Sequence, residues 1–222
     1  MLYTEQSVRD NVRNRGGKRV FFLGKGDQLT AGARDFLTRE RIEILSSQQA
    51  RPERYDLLGG GYMEEKPEHM THLNGDVLVH KTHPRIAFRG AMDTLETELL
   101  LCQLVTEPEI RKDLGEVLRL ARRLIRCDVL EEPVGEEKLC GLTQQELRSH
   151  SHRPQDYYGQ PHFMPEYADG AAVLQLSRAR CAAREAELRA VAAFGEGRAD
   201  LLRAFNRLSS FLYLVMIQLK TK

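Results

Sequence analysis

The sequence predicts a mainly α protein, namely a helical bundle of four to five helices with a small N-terminal α/β unit. Two patterns predict this fold class. Apolar residues recur at the helical period in four long stretches from about residue 84, whereas the first 66 residues alternate short apolar runs with one helical pattern. The composition agrees, because 222 residues with 41% hydrophobic residues can bury one sizeable core.

The first part of the chain has the pattern of a small βαβ unit. The run "KRVFFLG" predicts a short buried strand, "QLTAGARDFLTRER" a helix with Thr30 as its N-cap, and "IEIL" a second strand. The next stretch, "SSQQARPERYDLLGGGYMEEKPEH", is polar and rich in Gly and Pro, which indicates a loop or mobile linker. We therefore expect two domains: residues 1–66, the N-terminal α/β unit and linker, and residues 67–222, the helical bundle.

Four apolar stripes at the helical spacing follow. The stripes are Phe88, Met92, Leu95, Leu99 and Leu104; Leu114, Val117, Leu118, Ala121, Leu124 and Ile125; Val173, Leu176, Ala179, Ala183, Ala186 and Ala190; and Leu201, Leu202, Phe205, Leu208, Leu212, Val215 and Leu219. Four long amphipathic helices bury their apolar faces against one another, so a bundle is the natural architecture.

An irregular segment, "GLTQQELRSHSHRPQDYYGQPHFMPEYADG", separates the second predicted helix from the third. A segment of this length inside a compact domain is typically functional or disordered. Its His152 and His162 are potential metal ligands, but no Cys or acidic residue completes a spacing typical of zinc. We therefore interpret them as surface or hydrogen-bonded histidines.

Net charge, cysteine spacing and apolar runs argue against a nucleic-acid-binding, disulfide-bonded, secreted or membrane-spanning protein. The net charge of +1 disfavours a broad nucleic-acid or anionic-membrane surface, although a local basic pocket is compatible with it. The four cysteines have no CxxC spacing, which favours reduced, mostly buried thiols. The first residues lack the apolar core of a signal peptide, and the longest apolar run, "FLYLVMI", is too short to span a bilayer. We expect a cytoplasmic protein that binds neither membrane nor nucleic acid.

The third predicted helix carries Arg180, Arg184 and Glu187 at positions i, i+4 and i+7, on one face beside the alanine stripe. Two guanidinium groups one turn apart can hold a polyphosphate, because each presents a rigid fork of N–H donors. Spacing alone favours a solvated charged face with ion pairs one turn apart, and the polyphosphate site is the functional alternative.

The fourth predicted helix carries Asn206, Ser209, Ser210 and Tyr213 on the side opposite its apolar stripe. Ser and Asn are mildly unfavourable inside a helix, because their side chains compete for backbone hydrogen bonds. This small cost indicates either a polar partner helix or a ligand, and spacing leaves both open.

The stretch "THLNGDVLVHKTHPRIAFRGAMD" concentrates Lys81, His83, Arg85 and Arg89 just ahead of or within the start of a helix that holds Asp93. Cations are unfavourable near a helix N-terminus unless an anion docks there. A solvated cationic turn is the ordinary interpretation, and an anion site is the alternative. Walker A, GxSxG and GxGxxG motifs are absent from the sequence.

Taken together, these stretches resemble the cobalamin (corrinoid) adenosyltransferases, most closely the ethanolamine-utilisation type, from about "LTAGARDFL" to "FNRLSSFLYLVMI". The resemblance rests on "THL...KTHPRIAFRGAMD", "RCDVLEEPVG", "GLTQQELRSHSHRP", "HFMPE", "RARCAAREAE" and "FNRLSS", in that order. The related propanediol-utilisation type shares a "K-x-x-PR...G-x-x-D" segment, an "F-x-x-P" loop, an "R-x-x-x-R-x-x-E" helix and an "NRLS" helix. The resemblance implies that family's bundle fold.

The resemblance also implies roles for individual residues. It implies catalytic roles for Arg180, Arg184 and Asp93, with Asp93 paired to Arg180. ATP contacts are implied for Thr71, His72, Lys81, Arg85, Arg180, Arg184, Glu187, Asn206, Arg207 and Ser209. Corrin contacts are implied for Phe163, which would block the lower axial face of the corrin, with Met164 and Tyr157 helping to exclude water.

This chain departs from the family pattern at three places. The glycine- and threonine-rich phosphate loop of the propanediol type is absent, and Thr71, His72 and Leu73 stand as its replacement. The His and Cys-Cys-x-x-Cys metal motif of some ethanolamine-type members has no counterpart in "RYDLLGGGYMEEKPEHMTHL", so we expect no iron or zinc site and activity without a bound transition metal. Ser210 stands where the wider family has an Asp, so an interhelical salt bridge is lost or supplied differently.

The implied reaction transfers the 5′-deoxyadenosyl group of ATP, with Mg²⁺, to Co(I) cobalamin and so makes adenosylcobalamin for ethanolamine catabolism. The implied partners are further copies of the chain, with a trimer favoured, a reductase, an adenosylcobalamin-dependent lyase and a bacterial microcompartment. Two other hypotheses are a non-enzymatic corrinoid carrier, which would not need the arginine helix, and a structural helical module with solvated charged faces.

Overall fold

A computed structural model describes residues 1–15, 17–46, 54–135 and 138–221. The chain divides into two compact units. The first unit comprises Met1–His83 with Asp128–Glu132, and the second comprises Pro84–Cys127 with Pro133–Lys222.

The first unit consists of short strands and two short helices. In chain order its elements are β1 (Leu2–Tyr3), α1 (Glu5–Asn11), β2 (Arg13–Arg15), β3 (Lys18–Leu23), β4 (Gln28–Leu29), α2 (Ala31–Arg39), β5 (Glu43–Ser46), β6 (Tyr55–Leu57), β7 (Tyr62–Met63), β8 (Met70–Asn74) and β9 (Val77–His80). Strands β1 and β4 pair in parallel, a second sheet has the order β2-β3-β5, and a third has the order β7-β6-β9-β8.

The predicted βαβ unit is confirmed in β3, α2 and β5. Strands β3 and β5 pair in parallel, as a strand–helix–strand crossover requires. The Thr30 hydroxyl accepts a hydrogen bond from the Ala33 backbone nitrogen at 3.3 Å and caps α2 as expected. Phe21 and Phe36 lie in the buried core of this unit. The two phenylalanines therefore provide much of the apolar burial that holds helix and sheet together.

The stretch predicted as a loop or linker contains two strands. Residues 47–53 of that stretch lie outside the described residues, but β6 and β7 pair antiparallel and β6 also pairs with β9 in parallel. Gly60 and Gly61, with φ of +94° and +86°, turn the chain between β6 and β7. The strands are three and two residues long, which is too short for the alternating pattern that identifies a strand in sequence.

The hairpin of β8 and β9 is joined to β2 within the first unit. Gly75, in its turn, has φ +56°, and a Cβ there would lie 2.0 Å from the Asn14 carbonyl oxygen, so only glycine permits this approach. Arg15 Nε donates to Asp76 Oδ2 at 2.8 Å. Residues 67–83, which we assigned to the bundle domain, therefore belong to the first unit, and the division comes after residue 83.

The second unit is helical. Its elements are α3 (Pro84–Val105), α4 (Pro108–Val129), α5 (Gln144–His152), α6 (Pro154–Tyr158), a 3₁₀ turn (Tyr167–Asp169), α7 (Gly170–Phe194), a second 3₁₀ turn (Gly195–Arg198) and α8 (Ala199–Lys220). Helix α7 packs against α3 and α8, and α5 and α6 pack against α8. The mainly α fold is therefore confirmed. None of the helices in the described ranges combines the length and apolarity needed to cross a bilayer.

The segment predicted as irregular contains two short helices with clear start signals. Helix α5 begins at a capping box, in which the Thr143 hydroxyl accepts from the Glu146 nitrogen and Glu146 accepts from the Thr143 nitrogen. Helix α6 begins at Pro154, a residue suited to the first turn because its missing N–H is not needed there. With nine and five residues, both helices are too short for a sustained apolar stripe.

The predicted stripes form one apolar core, with one exception. In α7 all six predicted residues are buried, and in α8 the residues from Phe211 to Ile217 are buried on every side. Leu104 is 78% exposed. It lies five residues after Leu99, which turns it about 140° away from the stripe. Cys102, three residues after Leu99, takes the core position instead.

Candidate functional site

Helix α7 presents its predicted arginine face beside a buried row of alanines. Ala179, Ala183 and Ala186 are fully buried in the bundle core. Arg180 and Glu187 are half-buried and Arg184 is exposed. Small side chains let α7 lie close to α3 and α8, so the arginine face stands at the edge of the core.

The polar face of α8 is organised by hydrogen bonds within the helix. The hydroxyls of Ser209 and Ser210 donate to the Asn206 carbonyl oxygen at 3.2 and 2.8 Å. The Arg207 guanidinium donates to the Asn206 side-chain oxygen and, at 3.5 Å, to the Gln144 carbonyl oxygen of α5. Arg207 therefore connects α8 with α5, and both serine hydroxyls make the backbone contact that residues of this kind make inside helices.

Three of the predicted ATP-binding residues line one cavity of about 400 Å³, namely Glu187, Asn206 and Arg207. Burial lowers the pKa of the Arg207 guanidinium, the charge of Arg148 lowers it further, and Glu187 opposes both effects. An arginine remains protonated after such a shift. The cavity thus combines a carboxylate, an amide and a guanidinium contributed by two neighbouring helices. The other predicted α7 and α8 residues, Arg180, Arg184 and Ser209, do not line it.

The loop that holds Phe163 is fixed by Tyr213 of α8. The Phe163 backbone nitrogen donates to the Tyr213 hydroxyl at 2.9 Å, and that hydroxyl donates to the Phe163 carbonyl oxygen at 3.2 Å. The ring of Tyr213 stacks on the rings of Phe163 and His162, with centroids 5.9 and 5.6 Å apart. Lys220 Nζ lies 4.5 Å from the centroid of the Phe163 ring. This network holds the Phe163 ring half-buried at one place on the bundle.

Tyr213 also contacts the arginine face of α7. The Arg180 guanidinium carbon lies 5.0 Å from the centre of the Tyr213 ring, a cation–π distance. Within the described ranges no ion pair joins Arg180 to Asp93, the partner that the family resemblance implies. Asp93 is exposed on α3. Arg180 therefore lies on an aromatic ring rather than on the expected carboxylate.

The remaining predicted residues of the second unit have separate surroundings. Tyr157 stacks on His150, with ring centroids 3.8 Å apart, and is 45% exposed. Met164 is 84% exposed. Arg85, on α3, lies with its guanidinium carbon 5.8 Å from the centre of the Phe194 ring. Of the three residues predicted to contact the corrin, Phe163 alone has ring contacts with Tyr213 among the described residues.

Thr71, His72 and Lys81 belong to the first unit. Thr71 and His72 lie on β8, and Lys81 directly follows β9. The His72 ring nitrogen Nδ1 lies 3.0 Å from the Gly75 carbonyl oxygen, and its ring meets that of Tyr55 edge-on. Lys81 is exposed, and its backbone nitrogen donates to the His69 carbonyl oxygen at 2.9 Å.

Metal-binding groups are dispersed in the part of the chain that the structure describes. There, no three His, Cys, Asp or Glu side chains come together as a metal site would need. The described residues do offer single oxygen donors, such as Glu187 in its cavity. A carboxylate of this kind suits a cation that takes its other ligands from phosphate and water.

Comparison with known sequences assigns the family. Residues 61–219 match the sequence profile described as cobalamin adenosyltransferase. The chain belongs to the cobalamin adenosyltransferase family. The match begins in the strands of the first unit and extends through α8, and it includes every predicted site residue.

Two relatives of the cobalamin adenosyltransferase family are both named corrinoid adenosyltransferase EutT. That of Salmonella typhimurium strain LT2 is 34% identical over 165 residues, which is 69% of this chain and 59% of the relative. That of Escherichia coli strain K12 is 32% identical over 163 residues, which is 71% of this chain and 61% of the relative. The chain therefore spans about three fifths of the length of the curated relatives it matches.

Three residues that the sequence did not assign to the site lie beside predicted site residues in the structure: Tyr213, Arg148 and Arg203. Tyr213 was visible only as one polar residue on α8, because its partner Phe163 is 50 residues away in sequence. The two arginines had a weak signal, since Arg203 precedes Arg207 by one helical turn and Arg148 precedes His152 by one. That spacing is common on solvated helix faces and so identifies no site by itself.

Proposed function

We propose that this protein is an ATP:corrinoid adenosyltransferase. It would transfer the 5′-deoxyadenosyl group of ATP to the Co(I) form of a corrinoid, giving the adenosylated corrinoid and triphosphate. Family membership supports this function, as do the two EutT relatives named for the same activity. The observation that carries the proposal is the position of Tyr213, which contacts both Arg180 of the predicted ATP-binding helix and the Phe163 loop predicted to bind the corrin.

In the proposed reaction the electron pair of Co(I) attacks C5′ of ATP. A Co–C bond forms, the C5′–O bond breaks, and its electron pair leaves with the triphosphate. Because the substrate supplies the nucleophile, the protein needs no Ser–His or Cys–His pair. Its residues hold C5′ in line with the metal and neutralise the departing phosphates.

We assign these tasks to residues of the second unit. Asn206 and Arg207 hold the nucleotide, and Arg180 and Arg184 offset the charge of the leaving group. Glu187 is an oxygen donor for the Mg²⁺ that accompanies the phosphates, a role that suits a cation with few protein ligands. Phe163 presents an apolar ring to the lower face of the corrin and displaces its axial ligand there, which favours four-coordinate cobalt and its reduction.

We also propose the setting in which the protein works. The family resemblance supports a homotrimer in the cytoplasm or in a bacterial microcompartment. There the product would serve an adenosylcobalamin-dependent lyase of ethanolamine catabolism, and a reductase would supply Co(I).

Anaerobic incubation of the full chain with MgATP and chemically reduced cobalamin tests the function. The spectrum of adenosylcobalamin should replace that of Co(I), and triphosphate should be released in equal amount. Corrinoid binding without adenosylation would instead indicate a carrier. If MgATP does not raise the melting temperature and no corrinoid binds, the chain is a structural module, since a ligand that binds only the folded state stabilises it.

A further inference from the structure

A basic cleft lies between α5 and α8, and it joins Arg207, an expected ATP contact, to residues for which the sequence implied no ATP contact. Two neighbouring cavities, of about 400 and 820 Å³, share four lining residues: Arg148, His152, Arg203 and Arg207. We call these four residues with the space between them the α5–α8 cleft. Arg148 and His152 lie one turn apart on α5, and Arg203 and Arg207 lie one turn apart on α8. Each helix therefore directs a pair of cationic or titratable side chains into the same space.

The charges of this cleft are unbalanced. Arg153 adds a fourth guanidinium to the larger cavity, and among the residues that the structure describes Glu187 is the one acidic residue lining either of the two. Across the described ranges Arg148, Arg203 and Arg207 have no ion pair within 4 Å, whereas Arg153 lies 3.9 Å from Asp156. Arg203 Nε donates to the Ala199 carbonyl oxygen of its own helix, at 3.3 Å. Like charges gathered around one cavity repel one another, and an anion placed between them removes the repulsion.

Arg148 lies close enough to Arg207 for its positive charge to lower the pKa of the Arg207 guanidinium, which nevertheless stays protonated. The positive charge of Arg148 contributes to the lowered pKa of Arg207, second only to burial. On an ordinary solvated helix face, arginines are paired with acidic side chains. Helix α7 gives an example, since Arg189 Nε donates to Glu185 at 2.8 Å. Among the described residues, Glu187 is the single carboxylate that lines the cleft, and one negative charge does not balance its guanidinium groups. The space therefore suits a multiply charged anion.

We infer that the α5–α8 cleft binds the phosphate chain of a nucleotide, with Arg148 and Arg203 contacting phosphate oxygens beside Arg207. The inference rests on the proposed function for the identity of the nucleotide. The smaller cavity holds Glu187 and Asn206 together with Arg148 and Arg203, so a nucleotide at Asn206 has its phosphates within reach of the cleft. Guanidinium groups suit this task, because their planar donors match phosphate oxygens in pairs. The cleft thereby supplies phosphate contacts in a chain that lacks a glycine-rich phosphate loop.

The test measures binding of sodium tripolyphosphate and of ATP to the full chain by calorimetry. The variants are Arg148→Gln and Arg203→Gln, and the matched control is Arg189→Gln, which removes an exposed arginine that lines neither cavity. We expect each cleft variant to raise the Kd of both ligands about tenfold, and the control to leave both within about twofold of wild type. All three side chains are exposed, so melting temperatures should stay close to wild type.

Each outcome decides one question. If wild type fails to bind tripolyphosphate, or if the cleft variants bind it as the control does, the inference is overturned even when the wild-type chain makes adenosylcobalamin. If the variants lose tripolyphosphate but keep ATP affinity, the cleft takes free polyphosphate and the nucleotide assignment is wrong. If both affinities fall but wild type makes no adenosylcobalamin, the cleft is supported and the proposed function fails.

Discussion

The Tyr213 hydroxyl lies 2.9 Å from the backbone nitrogen of Phe163 and 3.2 Å from its carbonyl oxygen, so one side chain of α8 satisfies both backbone polar groups of one loop residue. Tyr213 is 9% exposed, and water has little access to these bonds. Buried hydrogen bonds of this kind cost more to remove than exposed ones, because the remaining partners lose their solvent as well. The position of the Phe163 ring therefore depends on a residue of the bundle core.

Replacing Tyr213 by Phe removes the hydroxyl and keeps the ring. We expect the free energy of unfolding to fall by about 1 to 3 kcal/mol, because the Phe163 backbone groups lose their partner. Urea unfolding followed by circular dichroism measures this change. Tyr167→Phe is the matched control, since that tyrosine is 90% exposed and its hydroxyl makes no such contact among the described residues. Equal small effects in both variants would contradict the role of the Tyr213 hydroxyl.

Replacing Phe163 by Ala removes the apolar ring from the loop. We expect adenosylation that starts from Co(II) corrinoid and a reductant to fall more than about tenfold, while the reaction from pre-reduced Co(I) changes little, because the ring is assigned to the reduction step. Anaerobic spectroscopy of both reactions gives the comparison, with Tyr167→Ala as control. A loss of the same size in both reactions would remove the proposed role of Phe163.

Arg184→Ala and Asn206→Ala test the assignment of the nucleotide. Both side chains are exposed, so the fold should survive, whereas adenosylation should become undetectable because ATP is no longer held. Melting curves and initial rates with MgATP and Co(I) measure these effects. Asn11→Ala and Arg189→Ala are controls for the loss of an exposed amide and an exposed guanidinium. Near-normal turnover in either site variant would refute the assignment of that residue.

Asp200 should make the stability of the protein decrease at acid pH. Its carboxylate accepts hydrogen bonds from Arg198 Nε and Nη2 at 3.0 and 3.1 Å and from the Val134 nitrogen at 2.9 Å. The hydrogen bond from Arg198, and after it the backbone hydrogen bonds, hold the pKa of this carboxyl far below its usual range. A carboxyl whose pKa is depressed by folding stabilises the protein above its unfolded pKa of about 4, and this stabilisation declines as the pH falls towards the folded pKa.

Asp200→Asn should therefore lower the free energy of unfolding by about 1 to 3 kcal/mol at pH 7 and by progressively less below about pH 4. Urea titrations at a series of pH values measure the difference between wild type and variant. A difference that stays constant from pH 7 to pH 3 would show that ionisation of Asp200 contributes nothing.

The cysteines should differ sharply in reactivity. Burial, with a smaller contribution from the charge of Glu98, raises the pKa of the Cys102 thiol to about 12, whereas Cys181 is exposed on α7. Since the thiolate is the reactive form, an aromatic disulfide reagent at pH 8 should label Cys181 rapidly and Cys102 only after unfolding. Cys181→Ser should abolish the rapid phase. Rapid labelling that persists in this variant would contradict the shielding of the other three thiols, of which Cys102 and Cys127 are buried and Cys140 is half-buried.

Much of the bundle was predictable because the buried face of a helix follows from the spacing of apolar residues within that helix. The six-residue stripe of α7 and the N-cap Thr30 needed no knowledge of the rest of the chain. Leu104 shows where local spacing is insufficient. It is apolar and near the stripe in sequence, but it lies five residues after Leu99 and therefore points to a different side of the helix, where it is exposed. Strands β6 and β7 were not predicted for a related reason, because segments of three and two residues are too short to show a periodic pattern of apolar residues.

Sequence by itself therefore determined the helical class of the second unit, the βαβ pattern of the first, and the face of α7 that carries Arg180, Arg184 and Glu187. Tertiary structure alone decided that Tyr213 holds Phe163, that Arg180 lies on Tyr213 rather than on Asp93, and that Arg148 meets Arg203 and Arg207 in one cleft. The physical reason is distance along the chain. Periodicity reports which side of one element avoids water, whereas a cavity or hydrogen bond between elements depends on how those sides pack together.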